Sequence, residues 1–328
     1  MFNFRKKIIF SFLMTAILFM SSIAYSFDVK LDPEIKDYEK KGNVTGTIIA
    51  SGSTTVGKLI EAWGNEFKII YPGAKIEVLT GGSSTAPPAL LSEKVNLGLM
   101  SRPMNENEIT SFKKKFGYEP TEIRVGIDAI SVFVNKNNPL NTINIQTLDN
   151  IFSETNNCGV KKNIEKWGDL EVKGELSKNK IILLGRTNAS ATYAYFQEKA
   201  LCKGRFKKDV NEKLSVEEIV KLVGETPAAI GYSSLGFIVP NVKALALSPK
   251  NGDKGVEPSA SNVIEGKYPL ARFLNIYINK KPNSHVSMLE EEFIKFILSK
   301  QGQEIVIKEG FLPLNQKITG NMLYKIKN

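Results

Sequence analysis

The chain has 328 residues and a formal net charge of +10, from 44 Lys and Arg against 34 Asp and Glu. That length suits about two domains and is ample to bury a core without help from disulfides. The lysines are scattered, with Lys113-Lys114-Lys115 the one triple, so the basic balance reads as solvated surface and not as a nucleic-acid site; a single histidine, His285, and no Cys or His pair at ligand spacing leave no basis for a metal site or for Ser–His–Asp chemistry.

Residues 1–26 read as a secretory signal. Arg5, Lys6 and Lys7 supply the basic start, and residues 8–20 supply an apolar stretch broken by Ser11 and Thr15. Ala24-Tyr25-Ser26 is a small-x-small cleavage site that leaves Phe27 first in the mature chain. The other reading is an uncleaved membrane anchor, against which the apolar stretch falls short of the ~20 residues a spanning helix needs. Losing the three basic residues brings the charge of +10 near +7. No second apolar stretch of this kind follows, so the expected product is soluble, exported and periplasmic. Neither cysteine sits at the cleavage point, which excludes a lipid anchor there.

From residue 45 strand-like and helix-like runs alternate, the pattern of an α/β fold. Strand 45–50 leads into Ala50-Ser51-Gly52-Ser53-Thr54-Thr55 and a helix over 56–71. Val56, Leu59, Ile60, Trp63 and Phe67 fall at helical spacing there, before Tyr71-Pro72-Gly73 stops the run. Strand 75–79 leads into Thr80-Gly81-Gly82-Ser83-Ser84-Thr85 and a short helix over 87–92 with prolines in its first turn. Strand 96–100 ends at Ser101-Arg102-Pro103-Met104; Asn105 then looks like a helix cap, with Glu106 and Glu108 in the first turn. Residues 124–135 give the longest strand signal of the first half, with one interruption that needs explaining, Asp128. A helix follows at 144–152, and strand 181–184 leads into Gly185-Arg186-Thr187-Asn188-Ala189-Ser190-Ala191-Thr192 and a helix over 192–202. Beyond lie a capped amphipathic helix at 215–223, short strands at 228–232 and 242–247, a long strand at 273–279, and helices at 288–299 and 301–307.

A hydroxyl-rich turn thus stands three times between a strand and a helix. Each such turn leaves backbone N–H groups unpaired at the positive end of a helix dipole, with hydroxyls beside them. One turn of this kind is common; three, one of them carrying Arg186, point to a site that surrounds a small oxyanion with donors. In an exported chain, Cys158 and Cys202 read as one disulfide, with two free buried thiols as the other reading.

The ordered set of segments resembles the phosphate-binding periplasmic component of phosphate ABC transporters. It comprises Ala50-Ser51-Gly52-Ser53-Thr54, Gly81-Gly82-Ser83-Ser84, Met100-Ser101-Arg102-Pro103, Asp128-Ala129-Ile130-Ser131-Val132, Leu148-Asp149-Asn150-Ile151-Phe152-Ser153, Trp167-Gly168-Asp169-Leu170, Ala229-Ile230-Gly231-Tyr232 and Tyr268-Pro269-Leu270-Ala271-Arg272. The resemblance implies a two-lobed type II periplasmic binding protein fold, each lobe a mixed sheet flanked by helices, with two crossover strands as the hinge. Lobe 1 is then expected from residues 27–133 and 273–328, and lobe 2 from 134–272.

It also implies a binding protein and not an enzyme, with no cofactor, that takes phosphate in the interlobe cleft as a monomer and delivers it to a membrane permease. The ligand set carried over is Ser53, Thr54, Thr55 and Ser83 from the first two turns, and Arg186, Ser190, Ala191 and Thr192 from the third. Ala191 stands where the family has glycine. Arg102 stands where many members carry the acid that accepts the phosphate proton, and Asp128 stands where those members have a small residue. Arg102 and Asp128 are therefore expected to exchange sides of the cleft, one adding a cation and the other restoring the acceptor; the other reading is that Arg102 caps the neighbouring helix region or pairs with Asp128 out of reach of the ligand. Sulfate, molybdate or a phosphoester is the alternative ligand on the same fold.

Overall fold

Strand and helix alternate from Gly46 onward in the computed structural model, which describes residues 30–188, 190–235, 239–249 and 252–327. The expected signal and its cleavage point lie outside these residues. The first half runs β1 (Gly46–Gly52), α1 (Thr54–Ile70), β2 (Ala74–Thr80), α2 (Ala86–Leu91), β3 (Leu97–Met100), α3 (Glu106–Phe116) and β4 (Thr121–Asn135). Ser53 starts α1 by accepting from the Val56 amide, and the helix buries Val56, Leu59, Ile60, Trp63 and Phe67 along one stripe against the sheet. Asn105 and Glu108 close a capping box on α3, and Gly117 ends it in the left-handed region.

The chain continues through β5 (Thr142–Asn144), α4 (Ile145–Phe152), β6 (Ile182–Arg186), α5 (Ala191–Lys199), β7 (Asn211–Lys213), α6 (Val216–Glu225), β8 (Ala229–Ser234), β9 (Val242–Ala244), β10 (Ala246–Ser248) and α7 (Ala260–Ile264). β11 (Ala271–Ile278) returns to the first half, and α8 (Met288–Leu298), α9 (Lys300–Lys308) and α10 (Gln316–Lys327) follow.

Strands lie in the order β2-β1-β3-β11-β4-β8-β6-β7, with β9 also on β4 and β10 paired with β5 apart from the rest. β1 runs parallel to β2 and β3, and β6 runs parallel to β7 and β8, while β11 is antiparallel to both its neighbours. One strand belongs to both halves. Residues 121–129 of β4 pair with β11, and residues 130–134 pair with β8. The returning chain crosses at the same level, where the Ile130 amide donates to Leu270 O and the Tyr268 hydroxyl donates to Ile130 O at 3.1 Å. Residues 125–135 are all buried, Asp128, Ser131 and Asn135 included, so β4 is covered on both faces where a half-exposed strand would alternate.

Two expectations are corrected. Residues 242–247, read as one strand, form parts of two: β9 pairs with β4 and β10 with β5, and the change of partner falls after Leu245, whose amide still donates to Val132 O of β4. α10 goes beyond the helices read from the pattern. Gly320 interrupts its stripe, and tertiary packing of Met322 and Ile326 near β4 and α8 holds it, with the Arg124 amide donating to Met322 Sδ at 3.2 Å.

Cys158 and Cys202 are joined in a disulfide, their Cα atoms 5.2 Å apart and 44 residues apart in sequence. It ties the loop after α4 to the end of α5, the helix that opens at the third hydroxyl-rich turn. Closing a loop of that length restricts the unfolded chain by about 4 kcal/mol in the chain-entropy treatment, and measured values run at about 2–4 kcal/mol. Cys158→Ser with Cys202→Ser is therefore expected to lower unfolding stability by about 2–4 kcal/mol, read from denaturant melts, while leaving anion binding in the folded state unchanged.

Candidate anion-binding cleft

The carboxyl ends of β1, β2 and β3 meet on one edge of the first half, the place where open α/β sheets bind ligands. Gly52 ends β1 at φ +141°, and a Cβ there would stand 2.1 Å from Leu99 O, so only glycine lets β1 and β3 approach this closely. Gly52 O accepts from both the Gly81 and Gly82 amides at 3.0 Å, which binds the second turn to the first. The Ser53 amide is used by Leu99 O at 2.8 Å and its hydroxyl oxygen by the Val56 amide, so Ser53 acts as the cap of α1. Thr54 and Thr55 occupy the first turn of α1, where N–H groups have no intrahelical acceptor. Thr55 Oγ1 is buried without a hydrogen-bond partner.

In the other half, Arg186 ends β6 and is oriented by donation from Nη2 to Leu214 O at 2.9 Å. Its Nε is buried and unpartnered. Burial pushes the guanidinium below its ordinary range, with Glu217 and Tyr232 acting the other way, yet arginine stays charged at physiological pH. Ser190 caps α5 by accepting from the Thr192 amide at 3.1 Å, and Ala191 contributes the first residue of that helix.

Thr54, Thr55 and Asp128 from the first half, and Arg186, Ser190 and Thr192 from the second, all line one cavity of about 490 Å³. Thr187 of the third turn lines it too, as do Lys58, Glu217, Ser234 and Phe311, which the sequence pattern does not single out. Lys58 could have been found, since it follows Thr54 by one turn of α1. Phe311 comes from the loop after α9 and carries no local signal.

Four expected positions are not among the lining residues: Ala191, at the start of α5, and three that are bonded elsewhere. Ser53 is spent on its cap. Ser83 Oγ accepts from the Ser101 amide at 3.1 Å and lies 3.2 Å from Ser101 Oγ, so it fastens the second turn to the end of β3. Arg102 is held by Glu108, with Nη1 to Oε2 and Nη2 to Oε1 both at 2.8 Å, and Nη1 also donates to Pro103 O. The expected exchange between Arg102 and Asp128 is replaced by two separate pairs. Asp128 takes Arg272, whose Nε and Nη2 donate to Oδ2 at 3.1 and 2.9 Å, while Oδ1 stays buried and unpartnered.

Arg102→Ala is accordingly expected to change anion affinity by less than about threefold and to cost about 1 kcal/mol of stability, since the pair is partly exposed. Its hydrogen bond to Arg102 holds the Glu108 carboxyl below the usual range. That contribution is full above the unfolded carboxylate range and is lost as pH falls through the lowered folded value. The gap in Tm between wild type and Arg102→Ala should therefore close in acid.

Among the described residues no group of His, Cys, Asp and Glu side chains is placed to hold a metal ion, and no helix is long and apolar enough to cross a membrane.

Residues 39–301 match the family described as a PBP superfamily domain. The chain is 42% identical over 308 residues to the phosphate-binding protein PstS of Pseudomonas aeruginosa, covering 93% of this chain and 95% of that protein. The solved structure of a possible phosphate binding protein from Planctomyces limnophilus matches with a TM-score of 0.71 at 26% identity, over 87% of this chain and 98% of that one. An ABC-type phosphate transport receptor from Vibrio cholerae shares the fold, with a TM-score of 0.63 at 20% identity, over 81% of this chain and 99% of that one.

Proposed function

The chain belongs to the PstS family of phosphate-binding proteins, within the PBP superfamily, and on that footing we propose that it captures inorganic phosphate between the two halves of its sheet and hands it to the membrane permease of an ABC transporter. The observation that carries this reading is that three residues lining one cavity each hold a buried, unpartnered polar atom: Thr55 Oγ1, Asp128 Oδ1 and Arg186 Nε. An orphaned buried polar atom costs about 1–3 kcal/mol, so a ligand that pairs with several of them is favoured here. The set is a hydroxyl, a fixed cation and a lone-pair acceptor. Phosphate carries between one and two negative charges near neutral pH and keeps a proton, so it can use all three at once. Sulfate has no proton for Oδ1 and would set oxygen against oxygen there.

The family consists of binding proteins, so the chemistry is capture and release. The change of strand partners at Ala129/Ile130 and Leu270/Ala271 supports the expected division into two lobes, with the crossings a few residues before the expected bounds of 133/134 and 272/273. A cavity of about 490 Å³ is wider than one tetrahedral anion needs, which favours closure of the lobes about these crossings onto the ligand. One chain supplies every side chain of the site, so the working unit is taken to be a monomer, exported to the periplasm by its leader. Calorimetric titration of the anion-free mature protein with phosphate and sulfate tests the reading. Micromolar or tighter phosphate binding with no sulfate competition is expected; equal affinity for sulfate would move the assignment to a general oxyanion receptor.

A further inference from the structure

Cross-strand register places Arg272 of β11 directly opposite Asp128 of β4, close enough for the guanidinium to reach the carboxylate. The grip is one-sided. An arginine commonly meets a carboxylate fork to fork, one nitrogen on each oxygen. Here Nε and Nη2 both bind Oδ2, Oδ1 is buried with no partner, and Asp128 lines the cavity. The guanidinium is itself held in place, stacked 4.0 Å over the Tyr195 ring, and the Tyr195 hydroxyl donates to Ala271 O at 2.9 Å. The pair is buried, with the Asp128 side chain 2% exposed and that of Arg272 11% exposed.

We propose that Arg272 is a positioning residue for oxyanion selectivity: by occupying Oδ2 from the neighbouring strand it fixes Asp128 with Oδ1 toward the ligand, as a lone-pair acceptor whose charge is already compensated. The inference rests on the phosphate reading of the cleft. It resolves a difficulty in that reading, because a bare carboxylate would repel the anion whose proton it is meant to accept. With Arg272 alongside, the local charge cancels while the lone pairs of Oδ1 keep their demand for a proton. Tyr195 extends the arrangement, since it belongs to α5, which opens with the cap formed by Ser190 and carries Thr192, and it reaches the crossing at Ala271. The acceptor on one lobe is thereby set relative to the donors on the other.

Without its partner, a buried carboxylate is costly, and the protein relieves the cost by turning the group to water or neutralising it. Either change removes the lone pair that turns sulfate away. The test is calorimetric titration of wild type, Arg272→Gln and Arg272→Lys with inorganic phosphate and with sulfate, each protein checked for folding by circular dichroism. In Arg272→Gln the phosphate-to-sulfate affinity ratio is expected to fall by about tenfold or more, the scale for a buried charge pair losing one member. Arg272→Lys keeps the charge without the planar fork. It is expected to recover much of the affinity for both anions while leaving the ratio below that of wild type, and it carries the test if the glutamine variant does not fold. A wild-type ratio in Arg272→Lys, or equal weakening of both anions in Arg272→Gln, would overturn the positioning role. A wild-type protein without preference for phosphate would instead refute the functional reading beneath it.

Discussion

Replacing Arg186 with alanine is expected to weaken phosphate binding by roughly a hundredfold or more, the scale on which buried charge-assisted contacts fail when one partner is removed. Arg186 is the cation that the second half of the sheet places in the cleft, and Leu214 O fixes its orientation before any ligand arrives. A guanidinium held in this way can meet two oxygens of a tetrahedral anion with little further ordering. Stability should move the other way from affinity. Its Nε is buried without a partner, so the ligand-free alanine variant is expected to melt no lower than wild type despite losing the bond to Leu214. A fall in both affinity and Tm would mean that Arg186 holds the fold, and titration beside thermal melts separates the two.

Asp128→Asn is expected to cost selectivity more than affinity. The amide keeps the shape of the carboxylate but can present an N–H where the acid presents only lone pairs. Sulfate then finds a donor in place of a repelling oxygen, and the phosphate-to-sulfate ratio should drop about tenfold to a hundredfold, the equivalent of about 1–3 kcal/mol for one mismatched buried polar contact. The same change leaves Arg272, 11% exposed at its side chain, facing a neutral group in place of a carboxylate, so a lower Tm is expected as well. Titrating the variant with both anions reads the first effect, and a thermal melt of the ligand-free protein reads the second. Undiminished rejection of sulfate would remove Asp128 from the acceptor role.

Much of the cleft was legible because its signals are local. A strand, a small-residue turn and a helix start are written in consecutive residues, and the turns carrying Thr54, Thr55, Arg186, Ser190 and Thr192 were placed by that pattern alone. Arg102 misled because its partner, Glu108, lies six residues on and was already accounted for as part of a helix start. The same carboxylate also accepts from the Asn105 amide at 2.8 Å, so one side chain serves both cap and ion pair. Arg272 was hidden for a different reason. Its partner is 144 residues away, and only the register between β11 and β4 brings the two together. The alternation of strands and helices announced an α/β fold, the two-lobed type II form came from the family resemblance, and residues 124–135 announced a long strand. Short strands such as β5 and β7, three residues each, have too few positions to show a period and exist because their neighbours supply partners.

One anion is expected to bridge the two halves of the sheet, with Asp128 accepting its proton. A crystal structure of the mature protein grown with phosphate tests this most directly. Phosphate oxygens are expected within hydrogen-bond distance of Thr55 Oγ1 and the Arg186 guanidinium, with a third oxygen in hydrogen-bond contact with Asp128 Oδ1 while Arg272 still holds Oδ2. Phosphate seated outside the cleft, or bound in it with both oxygens of Asp128 turned away, would contradict the claim.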